Sequence, residues 1–280
     1  MEMQANRRLR LLCCLAVIVV AVATANAIAG VIAGSYHDKG LLSDFTHFWL
    51  AARMAVAGHA AQVYDPVVFA RELAGTFDER VLGLFWLYPP HAFWLYVPFA
   101  VDNYGAAYVA FMVASFAALM ASLAVTGRVT PGLALCLAVS PAVMVAAVFG
   151  QNGLWTSALL IVIAFARDRR PILAGIAIGL LTMKPQFGVL IPFVLIIEHN
   201  WRCLTVAVIT TAVLAAATTA WFGADIWQAY FAIFSADHPV VHEMGRNMGA
   251  LRWQVSPFAG FQAAVIAGMA RAEARQARPG

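Results

Sequence analysis

A few short polar stretches interrupt an otherwise apolar chain, and each holds side chains able to act on a substrate. The first is Ser43-Asp44-Phe45-Thr46-His47-Phe48-Trp49. A carboxylate near its ordinary pKa is ionised at neutral pH and can accept a proton, and His47 falls one helical turn later on the same face. Asp44 is also a favoured helix N-cap, and capping alone would account for an aspartate there. Arg53 falls on nearly the opposite face, where it either serves another part of a pocket or snorkels to lipid headgroups. The second stretch is Lys184-Pro185-Gln186, set between two apolar runs. An ammonium at membrane depth is costly, so Lys184 must reach water, an acid or a phosphate, while Pro185 breaks the helix and frees backbone groups. In Gly150-Gln151-Asn152-Gly153 the amides suit sugar hydroxyls and the glycines suit a tight turn. Tyr88-Pro89-Pro90-His91 reads as a rigid re-entry into the membrane that leaves His91 exposed. His238 and His242 do not form an HExxH pattern, and no metal or cofactor is expected. The cysteines Cys13, Cys14, Cys136 and Cys203 all lie in apolar stretches and read as small buried hydrophobes.

These residues must be positioned by membrane helices. Hydrophobic residues make up 62% of the 280 and charged residues 11%, a balance that excludes a soluble globular domain. The net charge of +4 is spread as small clusters at the ends of apolar runs, which marks topology and not a nucleic-acid-binding face. A lipid-facing span needs about 20 apolar residues, fewer when the helix is buried or broken. The pattern predicts an all-α, polytopic bundle with spans at about 10–34, 104–126, 131–149, 154–167, 171–183, 186–198, 202–222 and 256–270. The first run follows Arg7, Arg8 and Arg10 and is too long for a signal-peptide core, so it reads as a retained span. With the N-terminus inside, Arg128, Arg167, Arg169, Arg170, Arg202 and the Arg-rich tail also fall in the cytoplasm, in short segments. Most acids, with Asp44, Gln151 and Lys184, then face the other side. Residues 35–102 form one long extracytoplasmic loop, rich in aromatics and expected to be a structured subdomain lying against the membrane. Within it the sequence predicts a helix from about Asp44 to Val56 that stops at Gly58, and a second helix capped by Asp65 with Pro66 at its first position. A second outside loop covers 223–255.

Taken in order, Asp44-Phe45 with Phe48-Trp49 and Ala51-Ala52-Arg53, Gly58 leading to Tyr64-Asp65-Pro66, Tyr88-Pro89-Pro90, Gly150-Gln151-Asn152, and Ala174-Gly175 with Gly179-Leu180 leading to Lys184-Pro185-Gln186 resemble glycosyltransferase family 87. The resemblance covers about residues 40–198. It implies a GT-C bundle that takes mannose or a related hexose from a polyprenyl-phosphate carrier and gives it to a glycan or glycolipid acceptor. It further implies a metal-independent, inverting reaction in a plasma (inner) membrane, with Asp44 as catalytic base. Departing phosphate needs cationic donors, which makes Lys184 the expected clamp, aided by Arg53 or a later arginine. His47, Gln151, Asn152, Gln186, Tyr88 and His91 are the remaining expected substrate contacts. Family members continue with further spans, so the resemblance also implies a chain truncated at its C-terminus. Two other readings stay open: a transporter or lipid-binding permease, which also uses broken helices and an intramembrane lysine, and an inactive scaffold that binds polyprenyl lipid.

Overall fold

A computed structural model describes residues 43–77, 85–125, 127, 130–188 and 190–233, with a two-residue antiparallel pair, Tyr36–His37 against Gly40–Leu41. Two compact units divide the chain, Met1–Phe231 and Ala232–Gly280, and all but residues 232–233 of the described chain belong to the first. The expected first and last spans, and most of the second outside loop, lie outside the described residues.

Apart from that short pair, the described chain is helical. Helix α1 (Phe45–Val56) ends where Gly58 takes a φ of +87°, and α2 (Pro66–Thr76) starts with Asp65 accepting hydrogen bonds from the Val67 and Val68 amides. Short turns and α3 (Phe93–Tyr96) lead to α4 (Tyr104–Ala124). There follow α5 (Pro131–Ala138), α6 (Pro141–Val148), α7 (Gly153–Ala166), α8 (Pro171–Leu181), α9 (Pro185–Gly188), α10 (Ile191–Ile197), α11 (Trp201–Phe222) and α12 (Asp225–Ala232). Side-chain caps and first-turn prolines set these starts: Asn103 caps α4, Asn200 caps α11, and Thr130 and Ser140 cap α5 and α6 ahead of Pro131 and Pro141.

Among the described residues α4 and α11 are long and apolar enough to cross a membrane, and α5 with α6 passes that test together, bent by 51°. Helices α7 and α8, with 14 and 11 residues, are roughly 21 and 16 Å long, short of a hydrocarbon core of about 30 Å.

The long helices pack as a row, α4 against α7, α7 against α8, α8 against α11. Gly175 and Gly179 bring α8 onto α11: a Cβ at Gly175 would meet the Val206 Cβ at 2.6 Å, and one at Gly179 would meet the Thr210 Cβ at 2.5 Å. This is the small-residue contact by which membrane helices approach closely.

The loop subdomain lies over one end of this row. Phe45 stacks on Phe111 near the start of α4, and Trp94 donates to the Thr218 hydroxyl near the end of α11 at 2.9 Å. Between them, the subdomain meets the α6–α7 break and the end of α8. At the opposite end, Arg167 pairs with Glu198 at 3.0 Å and the Asn200 amide donates to the Arg167 carbonyl. The segments carrying Asp44, Gln151 and Lys184 therefore gather at one end of the molecule, and Arg167 to Arg170 and Arg202 at the other.

Two local expectations are corrected. His91 is buried, 8% exposed, because its ring is held between Thr182 and Trp227. Cys136 is exposed on α5, whereas Cys203 is buried as expected; Cys13 and Cys14 lie outside the described residues.

Candidate active site

The start of α1 is built so that Asp44 is not spent on it. Ser43 and Thr46 close the helix end reciprocally: the Ser43 amide donates to the Thr46 hydroxyl at 3.1 Å, and the Phe45 amide donates to the Ser43 hydroxyl at 3.3 Å. Both hydroxyls also meet the Tyr104 hydroxyl at 3.2 Å, tying the turn to α4. Asp44 has helical backbone angles and makes no side-chain cap hydrogen bond. Capping, the simplest reading of Asp44, therefore belongs to its neighbours.

Its carboxylate instead receives the Gln151 side-chain amide on Oδ2 at 3.1 Å, and the Asp44 amide donates to the Phe149 carbonyl at 2.9 Å. Gly150 makes this approach possible. It has φ +62°, and a Cβ there would lie 2.6 Å from the Phe45 Cβ and 2.8 Å from the Ser43 hydroxyl. Partial burial pushes the Asp44 carboxyl above the usual carboxylate range, and the Gln151 hydrogen bond pulls the other way. A half-buried carboxylate of raised basicity is a competent proton acceptor.

Asn152 is buried, and its amide donates to the hydroxyls of Tyr88 at 3.0 Å and Tyr96 at 2.5 Å. It positions these tyrosines. Tyr64 donates to the Tyr88 carbonyl at 2.8 Å and accepts from the Trp86 indole at 3.2 Å, so the Tyr88-Pro89-Pro90 turn is fixed from both sides. The Tyr88 hydroxyl is pushed up to about 12, chiefly by burial, with the Asn152 hydrogen bond opposing and the nearby Asp44 charge adding to it.

Beyond this turn, His91 Nε2 lies 3.1 Å from the Thr182 hydroxyl. Thr182 gives its one hydrogen to the Gly179 carbonyl, so it accepts from His91 and fixes the Nε2–H tautomer. His91 Nδ1 is left as a buried acceptor with no protein partner among the described residues. Burial lowers the pKa of His91 and holds it neutral. Two residues past Thr182, the Lys184 ammonium sits over the Phe187 ring at 5.7 Å. No acid pairs with it among the described residues, and burial lowers its pKa to about 8. Gln186 is exposed beside it on α9.

His47 lies one turn after Asp44 as expected, but its ring is buried against Phe48 at 4.1 Å, and desolvation drives its pKa down to about 3. It is a neutral part of the support for α1. Arg53 projects elsewhere, pairing with Asp102 and lying 5.3 Å above the Trp49 ring. The geometry thus connects Asp44, Gln151, Asn152, Tyr88, His91 and Lys184 through neighbouring contacts, and no direct contact joins Asp44 to Lys184. Ser43, Thr46, Tyr96, Tyr104 and Thr182 were not expected at the site. A hydroxyl pair spaced like a capping box, Ser43 and Thr46, was the available signal.

The family model of Glycosyltransferase family 87 matches residues 86–277 of the 280. The chain belongs to glycosyltransferase family 87. The matched region contains Tyr88, His91, Gln151, Asn152, Lys184 and Gln186, whereas Asp44, His47 and Arg53 precede it. No curated protein and no solved structure matches the chain. Family membership and the apolar helices make this a membrane glycosyltransferase, with a sugar donor and an acceptor as its substrates.

Proposed function

We propose that this family 87 protein moves a mannose-like hexose from a polyprenyl-phosphate carrier to a hydroxyl of a glycan or glycolipid. We place the reaction on the extracytoplasmic face of the plasma (inner) membrane, in a GT-C bundle of eight spans with a cytoplasmic N-terminus. The observation that carries the reading is the Asp44 carboxylate, released from capping by Ser43 and Thr46 and held half-buried by Gln151. Arg167, Arg169, Arg170 and Arg202, gathered at the other end of the row, support the orientation.

Asp44 accepts the proton of the acceptor hydroxyl as that oxygen attacks the anomeric carbon. The bond from the anomeric carbon to the phosphate oxygen breaks, and its electron pair leaves with polyprenyl phosphate. Attack opposite the leaving group inverts the anomeric centre, and no metal is assigned a step. Lys184, which has no acidic partner among the described residues, carries the cation that stabilises the departing phosphate. Tyr88, His91 and Gln186 offer hydroxyl, ring nitrogen and amide to sugar or acceptor, and Gln151 and Asn152 are positioning residues.

The test is Asp44→Asn, assayed beside wild type for transfer rate and donor affinity in one detergent. Asparagine matches the shape and accepts no proton at neutral pH, so transfer falls by about 10²–10⁴-fold with donor affinity kept. A wild-type rate in the variant would return Asp44 to a structural role. Donor binding without transfer by the wild type would favour the scaffold.

A further inference from the structure

At the end of the row away from Asp44, the α7–α8 turn and the first turn of α11 enclose a groove of about 420 Å³. It is lined by Arg169, Arg170 and Arg202 around Pro171, Ile172, Leu173 and Ile176. The nearby acids are engaged elsewhere: Glu198 and Asp168 both pair with Arg167. Among the described residues the three groove arginines have no acidic partner, and all three are exposed. Ile172 and Ile176 are 48% and 41% exposed on the same surface. The combination is guanidinium groups over an apolar floor, at the end of helices that pack within the membrane row. The first turn of α8 borders the groove without a side-chain cap, which adds free N–H groups to the positive end.

We infer that this groove binds the phosphodiester headgroup of an anionic phospholipid, with Arg169, Arg170 and Arg202 on the phosphate and the upper acyl chain along Ile172 and Ile176. Charge and hydropathy together select this occupant. A soluble anion would use the arginines and leave the isoleucines exposed, whereas a zwitterionic lipid would use the isoleucines and bring no net charge. Arginine suits the role because its planar fork binds phosphate oxygens in pairs. Basic residues near a bilayer surface each favour anionic lipid by about fivefold. The groove is separated from Asp44 by the length of α7, and that it is distinct from the sugar-donor site rests on the proposed placement of the reaction at Asp44.

Purified full-length protein, reconstituted in phosphatidylcholine, would be titrated with spin-labelled phosphatidylglycerol or spin-labelled phosphatidylcholine. The motionally restricted fraction in the electron spin resonance spectrum gives their relative association. The wild type should prefer phosphatidylglycerol by about fivefold or more, a preference reduced by high salt and untouched by millimolar inorganic phosphate. The triple change Arg169→Gln, Arg170→Gln, Arg202→Gln should bring the ratio near one, and the corresponding triple change to Lys should keep part of it. Equal association of the two lipids with wild type, or an unchanged ratio in the Gln variant, would overturn the inference. Full displacement by inorganic phosphate would assign the groove to a soluble anion instead. If the triple Gln variant does not fold, the single changes Arg169→Gln, Arg170→Gln and Arg202→Gln decide in its place, and a wild-type ratio in all three would overturn the inference.

Discussion

The polar breaks at 149–153 and 182–186 come to the same end of the molecule, yet among the described residues protein groups complete the first and not the second. At the first, the Tyr108 hydroxyl donates its one hydrogen to the Ala147 carbonyl with the Val148 carbonyl beside it, Phe149 accepts from the Asp44 amide, and Gly150 lies against Phe45. Gln151 and Asn152 are both used on protein groups. At the second, the backbone is closed by Lys184 N–H to Leu181 and by Phe187 N–H to Lys184, but among the described residues the ammonium has no acidic partner and lies over the Phe187 ring, and Gln186 is exposed. The first break holds the proposed base, Asp44, in place. An unfinished one leaves a charge to be completed by a ligand.

The strongest way to break this comparison is to loosen the finished side. Gly150→Ala combines a positive φ with a Cβ at 2.6 Å from the Phe45 Cβ, an atom fixed to the helix backbone. Overpacking of this kind costs about 1–3 kcal/mol, and the left-handed conformation roughly 1–2 kcal/mol more. The variant should melt clearly below wild type in detergent and lose transfer, because the Gln151 amide no longer reaches Asp44. Gly153→Ala, where an added Cβ meets nothing within 4 Å, is the control and should melt at or slightly above wild type. Equal melting of the two variants would show that the α6–α7 turn does not depend on this close approach.

On the unfinished side, Lys184→Gln removes the charge without leaving an acid unpaired among the described residues, so folding should be nearly unchanged. Donor affinity should fall by a charge-assisted hydrogen bond, about 1.5–3 kcal/mol, and Lys184→Arg should recover part of it. Isothermal titration with a polyprenyl-phosphate sugar measures both. Wild-type affinity in Lys184→Gln would remove the lysine from the donor site.

The same contrast explains what was legible in the sequence. Helix starts and stops were readable wherever one residue decides them, as at the starts Asp65-Pro66 and Pro185 and the stop at Gly58, because capping, ring constraints and glycine's positive φ are local. The polar breaks were readable because Gln151 and Lys184 are expensive in an apolar chain. What each break does was not readable, since it depends on partners distant in the chain, Gln151 on Asp44 across 107 positions and Thr182 on His91 across 91. Ser43 and Thr46 hid the role of Asp44, since any of the three could have capped α1. Sequence made His91 exposed because a Pro-Pro turn usually lies at a surface, and only the docking of α8 and α12 buries it. Arg53 showed its face correctly, but its acid, Asp102, could not be assigned across the intervening helices.

The smallest expected effect is the most specific to the two breaks, because they load opposite limbs of the pH profile. Burial raises the pKa of Asp44, so its charged form is present above that value and is lost as pH falls through a range higher than that of an ordinary carboxylate. Burial lowers Lys184 to about 8, so its charged form is present below that pH and is lost as pH rises through it. The profile of kcat/KM, which reports the free enzyme, should therefore be a bell with an alkaline limb near pH 8, falling by about tenfold per pH unit once the lysine is neutral. Bound donor phosphate favours the ammonium, so the alkaline limb of kcat should lie higher than that of kcat/KM. Arginine stays charged throughout this range, so Lys184→Arg should erase the alkaline limb and leave the acid limb where Asp44 sets it. An alkaline limb that survives in Lys184→Arg would belong to another group. An acid limb that moves with it would show that Asp44 and Lys184 titrate as one coupled pair, and the separation of the two breaks would then be wrong.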